Sequence, residues 1–155
     1  MIRFAVDRML GKLAKWLRIL GCDTFYDNGL PFEKLVDRSL ADGRVLITRN
    51  SKIREYVESG SFVLLQSELL DDQLRCLVEK FSLDIESYRF TRCVHCNVEV
   101  SVVDKKNVQD VVPPMSYEGY TQFCQCPSCH KVYWYGAHVH NTLKRLRRVF
   151  PDVTP

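Results

Sequence analysis

The stretch FAVDRMLGKLAKWLRILGCDTFYDNG, residues 4–29, decides the fold. Its apolar start, with Ile2 ahead of it, reads as a short buried strand that ends at Asp7. Set at 100° per residue, Met9, Leu10, Leu13, Ala14, Trp16, Leu17 and Leu20 form one broad stripe. Arg8, Lys12, Lys15 and Arg18 fall opposite, with Ile19 the one apolar residue among them. Gly21 stands where such a helix stops. CDTFY then reads as a second strand and DNG as a turn.

The same alternation continues outward. PFEKLVDRSLADG has Pro at a helix start and Gly at its end, with Leu35, Val36 and Leu40 on one face. RVLIT is a third strand, NSKIREYVESG a helix capped by Asn50 or Ser51, and SFVLLQ a fourth strand. SELLDDQLRCLVEKFSL is an amphipathic helix capped by Ser67, with Leu70, Leu74, Leu77, Val78 and Phe81 inward. Apolar strands alternating with helices predict an α/β fold, a parallel sheet flanked by helices on both faces. Ligands of such sheets sit beyond the carboxyl ends of the strands, where Asp7, Asp27, Thr48, Arg49 and Asn50 fall.

After Tyr88 the helical period disappears, VEVSVVD alternates, and VPP forces an extended break. A boundary is expected near residues 84–92, dividing the chain into an α/β domain, 1–87, and a small β-rich module with a basic terminal helix, 88–155. Cys93 and Cys96 repeat the spacing of Cys126 and Cys129. Two such turns bring four thiolates to one ion and predict a closed, structural zinc site. A module this small needs such a clip because its own core is slight. Cys124 stands close enough to Cys126 to be a rival ligand, whereas His95 and His130 are expected to be exposed. Cys22 and Cys76 read as small apolar residues.

The 155 residues suit one domain with a small appendage, and 46% apolar with 26% charged residues is ordinary globular usage. No segment approaches the roughly 20 apolar residues that cross a bilayer, so no membrane partner is expected. Asp7 and Arg8 interrupt the first apolar run, unlike an export signal, and a reducing cytosol is the expected compartment. Seven cysteines there point to metal or free thiols rather than disulfides. The net charge of +3 is mild, so placement carries the information. Lys144, Arg145, Arg147 and Arg148 cluster near the end, either as an anion-binding patch or as a solvated helix face.

Asp7 has two readings. It can cap the helix that begins at Arg8, or it can hold Mg²⁺ or Mn²⁺ with other carboxylates. Arg8, Lys12, Lys15 and Arg18 running away from it suit a polyanion laid across a cation site.

The sequence resembles the Mut-seven-C RNase family through residues 4–29, GRVLITRN, CVHCNVEV, VPP and CPSCHKVYWYGAH, in that order along nearly the whole chain. The resemblance implies a PIN-like nuclease domain followed by a zinc ribbon, acting as a Mg- or Mn-dependent ribonuclease. It makes Asp7 the first acid and Glu33 the second, with Asp27 as the alternative to Glu33. The third acid of such sites follows Thr-Arg, and here that residue is Asn50. An amide offers oxygen without charge, so a weak or inactive RNA-binding module is the competing reading. Expected RNA contacts are Arg8, Lys12, Lys15, Arg18 and Arg49, on single-stranded or structured RNA. Tyr133, Trp134 and Tyr135 can stack bases or pack the ribbon. A protein partner or a homodimer is also compatible with this organisation.

Overall fold

The structure, a computed structural model, describes residues 2–154. Strands β1 (Phe4–Val6), β2 (Thr24–Tyr26), β3 (Val45–Thr48) and β4 (Phe62–Leu64) form a parallel sheet in the order β2-β1-β3-β4. Helices α1 (Gly11–Ile19), α2 (Phe32–Ala41), α3 (Ile53–Tyr56) and α4 (Leu70–Phe81) connect or follow them. The alternation in FAV explains why both faces are covered. Phe4 and Val6 enter one apolar cluster with Leu13, Leu17, Leu74 and Leu77, while Ala5 enters another with Leu35, Val36 and Ile53. Each such side chain contributes roughly 1.5–3 kcal/mol on burial, so the domain has ample core.

The chain runs from β1 to β2 on one side and then crosses to β3 on the other. The order therefore reverses between β1 and β3, which opens a crevice beyond their carboxyl ends. Asp7 and Thr48 lie at that crevice.

Some expected details differ. Leu40, on α2, is 50% exposed rather than inward. Met9 is 78% exposed whereas Ile19 is buried, so the stripe of α1 is rotated toward Ile19. The reason is local: Arg8–Leu10 form a tight 3₁₀ turn, and regular α-helix begins only at Gly11. α3 is a single turn, and its N-cap is Lys52 rather than Asn50 or Ser51. α4 starts at Leu70. Ser67 lies ahead of the cap, where its hydroxyl accepts from the Leu69 amide and donates to Asp72. Cys76 is exposed rather than packed.

The remaining residues form an antiparallel sheet of β5 (Ser101–Val103), β6 (Phe123–Gln125) and β7 (Val132–Trp134), with the short helix α5 (Pro114–Gly119). Its core is Val108, Val112, Phe123 and Val132, with Trp134 and Tyr117 against Phe123. The last helix, α6 (Ala137–Val149), adjoins this module in sequence but packs with the α/β domain. Leu143 and Leu146 join the cluster of Phe4, Leu17 and Leu74, and Arg145 lies over Trp16 and pairs with Asp71 at 2.8 Å. One cation of the C-terminal basic cluster thus serves packing, while Lys144, Arg147 and Arg148 remain exposed.

Candidate active site and metal centre

Asp7 is 6% exposed at the end of β1. Its amide donates to the Ile47 carbonyl at 3.0 Å, continuing the parallel ladder by one residue. Its carboxylate does not cap the following helical turn. Instead Oδ2 accepts a 2.7 Å hydrogen bond from the hydroxyl of fully buried Thr48, and the Asn50 amide donates to that hydroxyl at 2.9 Å. This relay fixes the hydroxyl and hence the carboxylate, and leaves Oδ1 without a hydrogen-bond partner among the described residues. Thr48 stood at the strand end in the sequence, but nothing local to it signalled a bond to Asp7, which lies far away along the chain.

The companion residues are placed unevenly. Val6 pairs with Tyr26, so Asp7 and Asp27 each stand one position past that pair on adjacent strands. Asp27 Oδ1 accepts from the Gly29 amide at 2.9 Å and organises the turn. Glu33 is exposed in the first turn of α2, 3.5 Å from the Tyr56 hydroxyl. Asn50 Oδ1 accepts from the Lys52 amide. Among the described residues, the only group of three or more His, Cys, Asp or Glu ligand atoms within 4.8 Å of one another is sulfur, not carboxylate. Asp7, Asp27 and Glu33 therefore do not meet at direct bridging distance. Their oxygen donors suit a hard ion chemically, and Mg²⁺ keeps several waters and needs only one or two protein carboxylates.

The basic face divides in two. Arg8, Lys12 and Lys15 are exposed and form no ion pair among the described residues. Arg18, expected to line the same face, is 7% exposed. Its guanidinium donates to the carbonyls of Thr24 at 3.0 Å, Val94 at 2.9 Å and His95 at 3.1 Å. Burial pulls its pKa below the ordinary arginine value, against the nearby Cys93 and Cys96. Arg18 thus faces inward as a clamp between α1, β2 and the cysteine module. Arg49 pairs with exposed Glu68 at 3.1 Å.

The sulfur group is Cys93, Cys96, Cys126 and Cys129. A tetrahedral Zn–S length of about 2.3 Å implies S···S separations near ~3.8 Å, and Cys93 Sγ to Cys129 Sγ is 3.7 Å. All four cysteines are free, so the set fits a structural metal such as zinc. The two turns are built alike. Asn97 donates to the Cys93 carbonyl and His130 to the Cys126 carbonyl, each residue with positive φ. The amides of Cys96 and Cys129 approach Cys93 Sγ and Cys126 Sγ at 3.4 and 3.5 Å. Burial pushes the Cys93 thiol up, but hydrogen bonds from the Tyr133 hydroxyl and the Cys96 and His95 amides outweigh it and bring it down to about 6. Burial and Cys93 in turn push the Tyr133 phenol up. Cys124 stands outside the group, paired across the sheet with Val102 and Tyr133, and burial pushes its thiol up.

Each member of the aromatic run has a partner within the protein. Tyr133 bonds Cys93 Sγ at 3.1 Å, Trp134 packs on Phe123, and half-exposed Tyr135 meets Phe90 and His140. The first cysteine turn also docks on β2. Asn97 Nδ2 donates to Asp23 at 2.7 Å, and its side-chain Oδ1 accepts from the Thr24 amide at 2.8 Å. Arg92 reaches the Gly21 carbonyl at 3.2 Å. Gly21 is obligatory here, since its φ is +86° and a Cβ would collide with the Tyr88 backbone. His95 and Lys131 meet at 3.0 Å on the outer side of this dock. Burial, then Lys131, Lys15 and Arg18, hold the His95 imidazole below its ordinary pKa.

These features define a class: a parallel α/β domain with a buried carboxylate at the sheet's switch point, clamped to a four-cysteine metal module. The Mut7-C RNAse domain family matches residues 2–146, almost the entire chain, and the chain belongs to that family. Comparison with curated proteins finds no match. No helix is long and apolar enough to cross a membrane among the described residues.

Proposed function

We propose that this protein hydrolyses phosphodiester bonds in RNA, with a hard divalent ion, Mg²⁺ or Mn²⁺, held at Asp7. Membership of an RNase domain family supports RNA as the substrate. The observation that carries the chemistry is the Thr48-to-Asp7 bond of 2.7 Å, which holds one buried carboxylate at the crevice with its second oxygen unbonded among the described residues. Asp27 would add an oxygen from the adjacent strand. Glu33 and Asn50 would reach the ion through water. An ion bound there would acidify a water and offset charge growing on phosphorus. Arg8, Lys12 and Lys15 would hold phosphates beside the crevice without reading sequence. Glu68 is exposed and half-buried Arg49 pairs with it only weakly in salt, so Arg49 is available to a phosphate.

A second reading is RNA binding without cleavage. Asn50 favours it, because its side-chain oxygen is committed to the Lys52 amide and brings no charge. Cleavage of single-stranded RNA in Mg²⁺ and Mn²⁺ separates the two. Asp7→Ala should lower the single-turnover rate by roughly 100-fold or more with thermal stability retained. Undiminished cleavage by that variant refutes the mechanism. RNA binding indifferent to divalent ions, with no cleavage by the wild type, establishes the second reading.

A further inference from the structure

The cationic face of α1 does not end with the helix. Lys12 and Lys15, three residues apart, share one side of it, and Arg8, in the 3₁₀ turn ahead of it, is exposed as they are. Arg18, one turn beyond Lys15, continues the same side but turns its guanidinium onto the Val94 and His95 carbonyls. The clamp therefore seats the first cysteine turn at the end of the row. On that turn His95 is exposed, and its Nε2 accepts from Lys131 Nζ of the second turn at 3.0 Å. Lys131 forms no ion pair among the described residues. It is also 5.9 Å from the centre of the Tyr133 ring, which holds it over the surface rather than free in solvent.

We propose that the cysteine module extends the phosphate-binding surface, with Lys131, positioned by His95, continuing the row Arg8, Lys12 and Lys15, so that one RNA strand lies from the Asp7 crevice across α1 onto the rim of the metal site. This rests on the reading of RNA as substrate. The occupant is a single strand because the cations form one row. A duplex carries two rows of phosphate, and the second would find no match here. Contacts of this kind are sequence-independent and track a backbone. The metal then has a part in RNA binding as well as in folding, since it fixes the loops that present His95 and Lys131.

The competing role for Lys131 is charge balance. Four thiolates around one Zn²⁺ leave a net charge of about −2, and a nearby ammonium would offset it without touching RNA. The two roles predict different measurements. The probe is a labelled, unstructured oligouridylate bound to zinc-loaded full-length protein without added Mg²⁺ or Mn²⁺, titrated at several salt concentrations. Each phosphate contact on a single strand contributes about 0.7 to the slope of log affinity against log salt. Lys15→Gln and Lys131→Gln should each make the slope shallower by about that amount, and the double variant by about twice as much. Between 50 and 200 mM salt, each lost contact reduces the fall in affinity by ~2.6-fold. Zinc content should stay unchanged. Lys34→Gln, on α2 across the sheet, should keep the wild-type slope. An unchanged slope in Lys131→Gln, with or without loss of zinc, overturns this inference and leaves the RNase reading standing. Failure of the wild type to bind at low salt overturns both.

Discussion

Replacing Arg18 by Met tests the clamp that joins the two modules. The guanidinium donates one buried hydrogen bond to Thr24 and two part-buried bonds to Val94 and His95. A bond from a charged donor is worth about 1.5–3 kcal/mol. The carbonyls of Val94 and exposed His95 recover water when the donor goes, so their share falls toward the lower end. Methionine fills much of the volume and removes a buried charge that was costly to desolvate. The net loss is then about 3 kcal/mol, which for a chain of this size lowers Tm by roughly 6–12 °C. Thermal unfolding of the zinc-loaded variant, followed by circular dichroism, measures it. Hydrogen exchange should quicken at the Thr24 amide, which is bonded to Asn97 across the same dock. A Tm drop below about 2 °C with unchanged protection of Thr24 would refute the clamp.

Three further outcomes follow from other parts of the molecule. Cys126→Ser should reduce bound zinc below one equivalent and unfold the antiparallel sheet, read by metal analysis and near-ultraviolet dichroism, with the α/β helices retained. Burial alone would raise the Asp23 carboxyl, yet bonds from Arg44 and Asn97 hold it below the ordinary carboxylate range. Its stabilising effect is therefore complete above that range and lost as pH falls through the depressed folded value. Asp23→Asn should flatten the acid side of the stability-against-pH curve, and an unaltered acid limb contradicts this. Asn50→Asp restores a charge beside the crevice and should raise the Mg²⁺-dependent cleavage rate; a fall in rate shows that the Asn50 turn matters more than its charge.

The parallel sheet and its two faces were legible because FAV, VLIT and the helical stripes carry their periods locally. The four-cysteine group was legible because Cys-x-x-Cys constrains geometry within a single turn. The sense of Arg18 was not. Helical periodicity places it with Lys12 and Lys15, and only the docking of a distant loop turns a solvent-facing position into an interior one. The packing of α6 was not legible for the same reason. Its basic residues read as a surface, while Leu143 and Leu146 find their partners in strands and helices far back in the chain. At Asp7, capping and metal binding are equally consistent with a strand end. That Asp7 does not cap is visible only in the fold, where Thr48 takes up the carboxylate through β1–β3 pairing. The family pattern supplied Glu33 and Asn50, but their present bonds to Tyr56 and Lys52 are tertiary and local facts that no spacing encodes.

The central claim is that a hard ion is held by the carboxylate that Thr48 orients. Titration of zinc-loaded protein with Mn²⁺, followed by electron paramagnetic resonance of the free ion, addresses it without relying on turnover. One Mn²⁺ site in the wild type, weakened at least tenfold in Asp7→Asn, is the predicted result. The same Mn²⁺ affinity in both proteins, or no Mn²⁺ taken up by either, contradicts the account.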